Sequence, residues 1–98
     1  GQQGVVGGTG PNNIGLLVRV SGRIVEVPRE GRRYRNWFKI DVGSGRIVKC
    51  TAEEGSLVVS PSWYRRNVIV TGISSCEFDG PNLVSVIRLK KGVTPVIY

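Results

Sequence analysis

The sequence predicts an all-β domain in which five strands close, or nearly close, into a small barrel. Branched apolar residues alternate with polar ones through several short segments, which is the period of a half-buried strand. Glycines lie inside two of these segments as well as at turns, and a glycine within a strand often marks a bulge or a sharp bend. No segment has a convincing helical period, so the strands form the whole predicted framework.

The first strand is predicted over Ile14–Val27, and Gly22 interrupts it. Its first inward side chains are predicted to be Leu16, Val18, Val20 and Ile24. Val25 and Val27 lie at odd-numbered positions, whereas the inward residues before them lie at even-numbered positions. A bulge would produce this shift. We therefore expect this strand to bend and to serve both halves of the barrel.

A tight hairpin is predicted to join the second and third strands. They cover Trp37–Val42 and Arg46–Ala52, and Gly43–Gly45 forms the turn between them. The charged segment Pro28–Asn36 is the loop that leads into the second strand. The inward side chains of this hairpin are predicted to be Phe38, Ile40, Val42, Val48, Cys50 and Ala52.

The second half of the chain adds a crossing connection and a further hairpin. Glu53–Arg66 is predicted to cross the barrel with at most one helical turn. The fourth strand covers Asn67–Phe78 with Gly72 near its centre, and the fifth covers Leu83–Leu89. In the connection, Trp63 either plugs one end of the barrel or belongs to a binding surface, and the sequence leaves both readings open.

The first thirteen residues form a separate, uncharged and glycine-rich arm, so the chain divides into an arm (1–13) and a folded domain (14–98). The arm is either a flexible linker or an edge strand that pairs with a neighbouring molecule. The candidate assembly contacts are Gln2, Gln3, Val5 and Val6 in the arm and Val96, Ile97 and Tyr98 in the C-terminal tail.

The two cysteines, Cys50 and Cys76, each lie towards the end of a predicted strand. A disulfide between them would close a loop of 26 residues (76 − 50) and add roughly 3–4 kcal/mol of stability. The alternative is two free, buried thiols. Because the core of so short a chain is thin, we expect the disulfide and, with it, a secreted or cell-surface protein.

Composition narrows the function. The net charge is +7, which favours anionic partners. Solubility or tolerance of heat would explain the charge too. Ten of the fourteen basic residues are arginine and methionine is absent, which fits an exposed or hot environment. The chain has no histidine, its carboxylates are scattered, and two cysteines cannot build a zinc site. We expect no catalytic residue, no metal and no cofactor. No apolar run approaches the roughly 20 residues that span a bilayer, so no membrane insertion is expected.

Four motifs carry a resemblance to a known fold family. They are Gly15-Leu-Leu-Val-Arg-Val-Ser-Gly22, Ile40-Asp-Val-Gly-Ser-Gly45, Val70-Thr-Gly-Ile-Ser-Ser-Cys76 and Val84–Arg88. Together with the order of strands they resemble the OB-fold modules of secreted bacterial proteins, from Ile14 to about Leu89. The resemblance implies a five-stranded Greek-key barrel, an extracytoplasmic setting and no catalytic activity. The sequence departs from the pattern at Ser62–Arg66, where a smaller turn is expected.

Two functions follow from these observations. The first is a non-enzymatic structural subunit or repeat of a surface or filamentous assembly, in which copies of the chain are joined through the arm. The alternative is binding of single-stranded nucleic acid or an oligosaccharide through a basic, aromatic face. The residues of that candidate ligand face are Arg19, Arg23, Arg32, Arg33, Tyr34, Arg35, Trp37 and Lys39.

Overall fold

Strands account for nearly all the regular structure in the computed structural model of the protein, which describes residues 15–29, 35–53 and 55–98. They are β1 (Leu17–Glu26), β2 (Trp37–Asp41), β3 (Ile47–Thr51), β4 (Asn67–Asp79), β5 (Asn82–Leu89) and β6 (Val96–Ile97). A single 3₁₀ turn, Pro61–Trp63, is the one helical element among the described residues. The all-β prediction is confirmed.

Five of the strands form a hydrogen-bonded ring. β1 pairs antiparallel with β2, β2 with β3, and β5 with β4, whereas β3 and β5 run parallel. The ring closes because the first part of β1 also pairs with β4, from Leu17↔Ile73 to Arg23↔Asn67. β6 lies outside the ring on β4, where Val68 faces Ile97. Closure leaves the ring without an open sheet edge except where strands run past their partners.

Alternation along the strands fills the interior of the ring with apolar side chains. The fully or almost fully buried core consists of Val18, Val20, Ile24, Phe38, Ile40, Val48, Cys50, Val59, Val68, Val70 and Ile87. The pairing of β1 with β2 is irregular between Ile24 and Glu26, which places the predicted change of parity there rather than at Gly22. After it, Val27 packs against the core while Val25 stays exposed.

The crossing connection closes one end of the ring interior. Ser60 caps the 3₁₀ turn, and the Trp63 ring packs edge-on against Phe38 with 5.9 Å between centroids. The Arg65 N–H donates to the Ile24 carbonyl, and the Ile24 N–H donates to the Arg66 carbonyl, so the connection is fixed to β1. Of the two readings of Trp63, the structure favours the plug.

The structure does not support the predicted disulfide, because both Cys50 and Cys76 are free thiols. Strand β5 lies between them: Cys50 of β3 faces Ile87, and Cys76 of β4 faces Ser85. Two interstrand spacings alone separate their Cα atoms by about 10 Å, and the offset between Ile87 and Ser85 along β5 adds to this, so the distance exceeds the roughly 7 Å that a disulfide bridges. Burial raises the pKa of the Cys50 thiol from 9.0 to about 12, so that thiol stays protonated at neutral pH.

Candidate ligand-binding groove

A groove of about 460 Å³ runs over the outer face of β2 and β3 and is walled by the end of the β4–β5 hairpin. We call it the β2–β3 groove; it is lined by Glu26, Trp37, Lys39, Ile47, Lys49, Glu77, Phe78, Asp79 and Val84. Its floor follows from strand periodicity. Phe38 and Ile40 point into the core, so their neighbours in β2 point outwards, and the same alternation applies to β3 around Val48.

Four charged side chains form a row across the floor of this groove. The Lys39 ammonium lies 3.8 Å from a Glu26 carboxylate oxygen, and the Lys49 ammonium lies 3.7 Å from one of Glu77. Lys39 and Lys49 are direct cross-strand partners. Like charges in that position destabilise a sheet, and the two flanking carboxylates offset this. The row therefore presents two adjacent cations whose counter-ions are partly exposed and accessible to a ligand.

Trp37 supplies an aromatic surface at the start of β2. Its side chain is half-buried, and the Lys49 ammonium lies 5.9 Å from the ring centroid. On the hairpin wall, Phe78 is 77% exposed and faces Leu83 in register. Phe78 and Leu83 are paired, exposed apolar side chains, so this wall of the groove offers apolar surface for contact with another molecule.

The structure divides the ligand face that the sequence predicted. Trp37 and Lys39 lie in the β2–β3 groove, whereas Arg19 and Arg23 project from β1 into two other clefts. Arg35 is half-buried, and its Nη2 donates to the Val59 carbonyl at 3.2 Å, so it links the loop to the crossing connection. The remaining members, Arg32, Arg33 and Tyr34, lie outside the described residues.

Sequence reasoning missed the β3 and hairpin members of the groove. Ile47 and Lys49 lie on the outward face of β3, because they alternate with the inward residues Val48 and Cys50. From the sequence, Glu77 and Phe78 lie at the end of the fourth strand, and Glu77 and Asp79 are acidic groups on the last hairpin that oppose a nucleic-acid ligand. Only the pairing of β3 with β5, which brings the β4–β5 hairpin alongside β3, places them beside Trp37.

The proposed assembly contacts fall into two groups. Gln2, Gln3, Val5 and Val6 lie outside the described residues. In the tail, Val96 and Ile97 form β6 on the chain's own β4, and the Tyr98 backbone exchanges hydrogen bonds with Asn67. The tail is thus already paired within the chain, and Val96 and Tyr98 keep exposed side chains.

Other kinds of site find little support in the described part of the chain. It contains no group of three or more His, Cys, Asp or Glu side chains placed to hold a metal ion. It also contains no helix with the length and hydrophobicity of a membrane-spanning one. Comparisons with protein-family models, with curated proteins and with solved structures found no match.

Proposed function

We propose that the domain is an OB-fold module that binds an oligosaccharide, without catalysis, in the β2–β3 groove. The strand order around the ring, β1-β2-β3-β5-β4 and back to β1, supports the Greek-key barrel of that fold. OB-folds bind oligonucleotides and oligosaccharides on the face of their second and third strands, flanked by the β1–β2 and β4–β5 loops. The groove occupies the corresponding position.

The observation that carries the proposal is the combination of Trp37 with the row of four charges. An indole face stacks on the apolar face of a sugar ring, and exposed ammonium and carboxylate groups exchange hydrogen bonds with hydroxyls. A few well-placed polar groups beside apolar surface are the usual composition of a ligand site.

The charges in the groove favour a sugar over a phosphate chain. Glu26, Glu77 and Asp79 oppose Lys39 and Lys49, so the lining has one more carboxylate than ammonium groups. Proteins that bind single-stranded nucleic acid instead line their groove with an excess of cations. Self-assembly through the C-terminal tail has less support, because the tail strand is already paired with β4. A secreted or cell-surface setting stays a prediction that rests on the sequence resemblance alone.

The test is a binding titration against a fixed panel. The probes are neutral glucan and chitin hexasaccharides, an acidic galacturonate hexasaccharide and a fifteen-nucleotide oligothymidylate, measured by calorimetry. We expect a hexasaccharide to bind and Trp37→Ala to weaken that binding by about fivefold or more, because one stacked ring contributes roughly 1–3 kcal/mol. Tyr98→Ala is the matched control, since Tyr98 is an exposed aromatic outside the groove. Binding of oligothymidylate alone, or of nothing in the panel, would refute the proposal.

A further inference from the structure

Four arginines surround the turn between β2 and β3. Arg19 and Arg46 line one cleft, of about 470 Å³, and Arg23 and Arg65 line another, of about 540 Å³. The two clefts share Gly43 and Ser44, so they lie on either side of the turn. All four arginines are exposed. We call this set the arginine rim.

The arginine rim lacks the counter-ions that the groove has. Within the described residues, the ion pairs involve lysines, Lys39 with Glu26 and Lys49 with Glu77, and none involves an arginine of the rim. One carboxylate, Asp41, lines the cleft of Arg23 and Arg65, and its Oδ1 accepts the Gly43 N–H at 2.8 Å; in the described part of the chain, the cleft of Arg19 and Arg46 has no carboxylate in its lining. Uncompensated charges of one sign repel each other, and a bound anion relieves that repulsion.

Part of the rim is held in place before any ligand arrives. The Arg23 Nε donates to the Arg65 carbonyl at 3.3 Å, and the Arg65 guanidinium lies 5.3 Å from the Tyr64 ring centroid. Arg65 also has a φ of 68°, a left-handed conformation that is unfavourable for a residue with a side chain. Guanidinium groups fixed in this way lose less conformational freedom when they bind, and each presents a planar pair of donors to a carboxylate or sulfate.

The rim continues the β2–β3 groove along the same ladder. Lys39 of the groove pairs with Glu26, and Asp41, which is two residues further along β2, pairs with Arg23 of the rim. Two residues of a strand span about 7 Å. Asp41 also faces Ile47, which lines the groove. A chain that lies on Trp37 and Lys39 therefore meets the arginines when it extends towards the turn.

We propose that the arginine rim makes the module selective for acidic polysaccharides, with sugar rings in the groove and carboxylate or sulfate groups of the same chain on the rim. This inference rests on the proposed function and adds the class of ligand. It also assigns separate roles to two kinds of cation: the lysines lie beside the stacked sugar ring, and the arginines bind the carboxylate or sulfate groups.

A pair of probes that differ only in charge tests the proposal. They are a galacturonate hexasaccharide and its fully methyl-esterified form, titrated into the wild type and into the Arg46→Gln/Arg65→Gln double variant. We expect the wild type to prefer the acid, and the double variant to lose about tenfold in affinity for each arginine while binding of the ester is unchanged. Arg88→Gln is the matched control, because Arg88 is exposed on β5 and lines neither cleft. Unchanged thermal unfolding shows that each variant is folded.

The outcomes separate the two proposals. If the acid and its ester bind equally and Trp37→Ala weakens both, the selectivity of the rim is refuted and the proposed function stands. If neither hexasaccharide nor any other glycan of the panel binds, both proposals fall. If oligothymidylate binds and the double variant loses that binding, the rim belongs to a nucleic-acid site and the inference is overturned.

Discussion

Replacing Gly72 by alanine tests whether β4 and β5 lie too close together at this position to leave space for a side chain. Gly72 is buried, with β1 on one edge, at Val18, and β5 on the other, at Leu89. A Cβ atom added there would overlap the Arg88 carbonyl oxygen. It would also lie 2.8 Å from the Arg88 carbonyl carbon and 2.8 Å from the Ile87 Cγ2. The methyl group therefore has no space unless β4 and β5 move apart.

The magnitude follows from what has to move. Overpacking a core by one group costs typically about 1–3 kcal/mol, and the upper end applies here because the obstacle is backbone rather than a flexible side chain. We expect Gly72→Ala to lower the free energy of unfolding by about 3 kcal/mol. For a domain of this length that corresponds to a fall in melting temperature of about 12–24 °C. Such a loss is a large share of the roughly 5–15 kcal/mol by which domains are stable.

Urea unfolding, followed by circular dichroism, measures the effect against two comparison variants. At Gly22 an added Cβ would lie 2.7 Å from the Asp41 carbonyl oxygen, so Gly22→Ala should cost less than Gly72→Ala but more than an unhindered site. Gly80 has open space but a φ of +61°, so Gly80→Ala should cost about 1 kcal/mol from backbone strain alone. If Gly72→Ala is no more destabilising than Gly80→Ala, the reasoning about ring contact is refuted.

Three further predictions concern the cysteines and the tryptophans. In the folded protein the buried Cys50 thiol keeps its proton, whereas in the unfolded chain it loses the proton above about pH 9. The free energy of unfolding should therefore fall as pH rises, by about 1.4 kcal/mol between pH 7 and pH 10. Urea unfolding at both pH values should show that Cys50→Ala lacks this component, and an equal loss in the variant would contradict it. Native iodoacetamide labelling, followed by intact mass, should add one group, at half-buried Cys76, before unfolding exposes the second thiol; two additions at the same rate would show that Cys50 is not protected. Finally, Trp63→Ala should destabilise the domain by about 3 kcal/mol and Trp37→Ala by less than about 1 kcal/mol, because only Trp63 packs on the core. The same urea unfolding assay distinguishes the two variants. Comparable losses of stability would show that Trp37 also belongs to the structural framework.

The strands were predictable because their periodicity is local. Alternation placed β4 at Asn67–Phe78, and the structure extends it by one residue, to Asp79. The inward residues of β2 and β3 were assigned correctly for the same reason: Phe38, Ile40, Val48 and Cys50 are all buried. Gly72 was identified as special from its place within a strand, and the near-contact with Arg88 supplies the physical cause.

The contents of the groove were not predictable, because they depend on which strands become neighbours. Periodicity gives the face on which Lys49 lies but not its partner, and Glu77 reaches it only through the parallel pairing of β3 with β5. The same pairing inserts β5 between the cysteines and rules out their bridge. Periodicity places Arg23 and Trp37 on the outward faces of the first two strands and so groups them on one candidate surface. β1 bends between β4 and β2, however, and directs Arg23 towards the turn.

The distribution of charge, rather than its total, decides between the functions that the composition allowed. A net charge of +7 is equally compatible with nucleic acid, acidic polysaccharide and simple solubility. In the folded chain two of the carboxylates lie beside the groove lysines, next to an aromatic ring. Among the described residues the arginines of the rim form no ion pair, and the rim begins about 7 Å further along the same ladder. A surface evolved only for solubility has no reason to segregate its ion pairs from its free cations. A phosphate chain lying in the groove would meet more carboxylates than ammonium groups. A ligand with stacking rings and negatively charged groups satisfies both parts of this surface at once, which is why two hexasaccharides that differ only in charge are the discriminating probe.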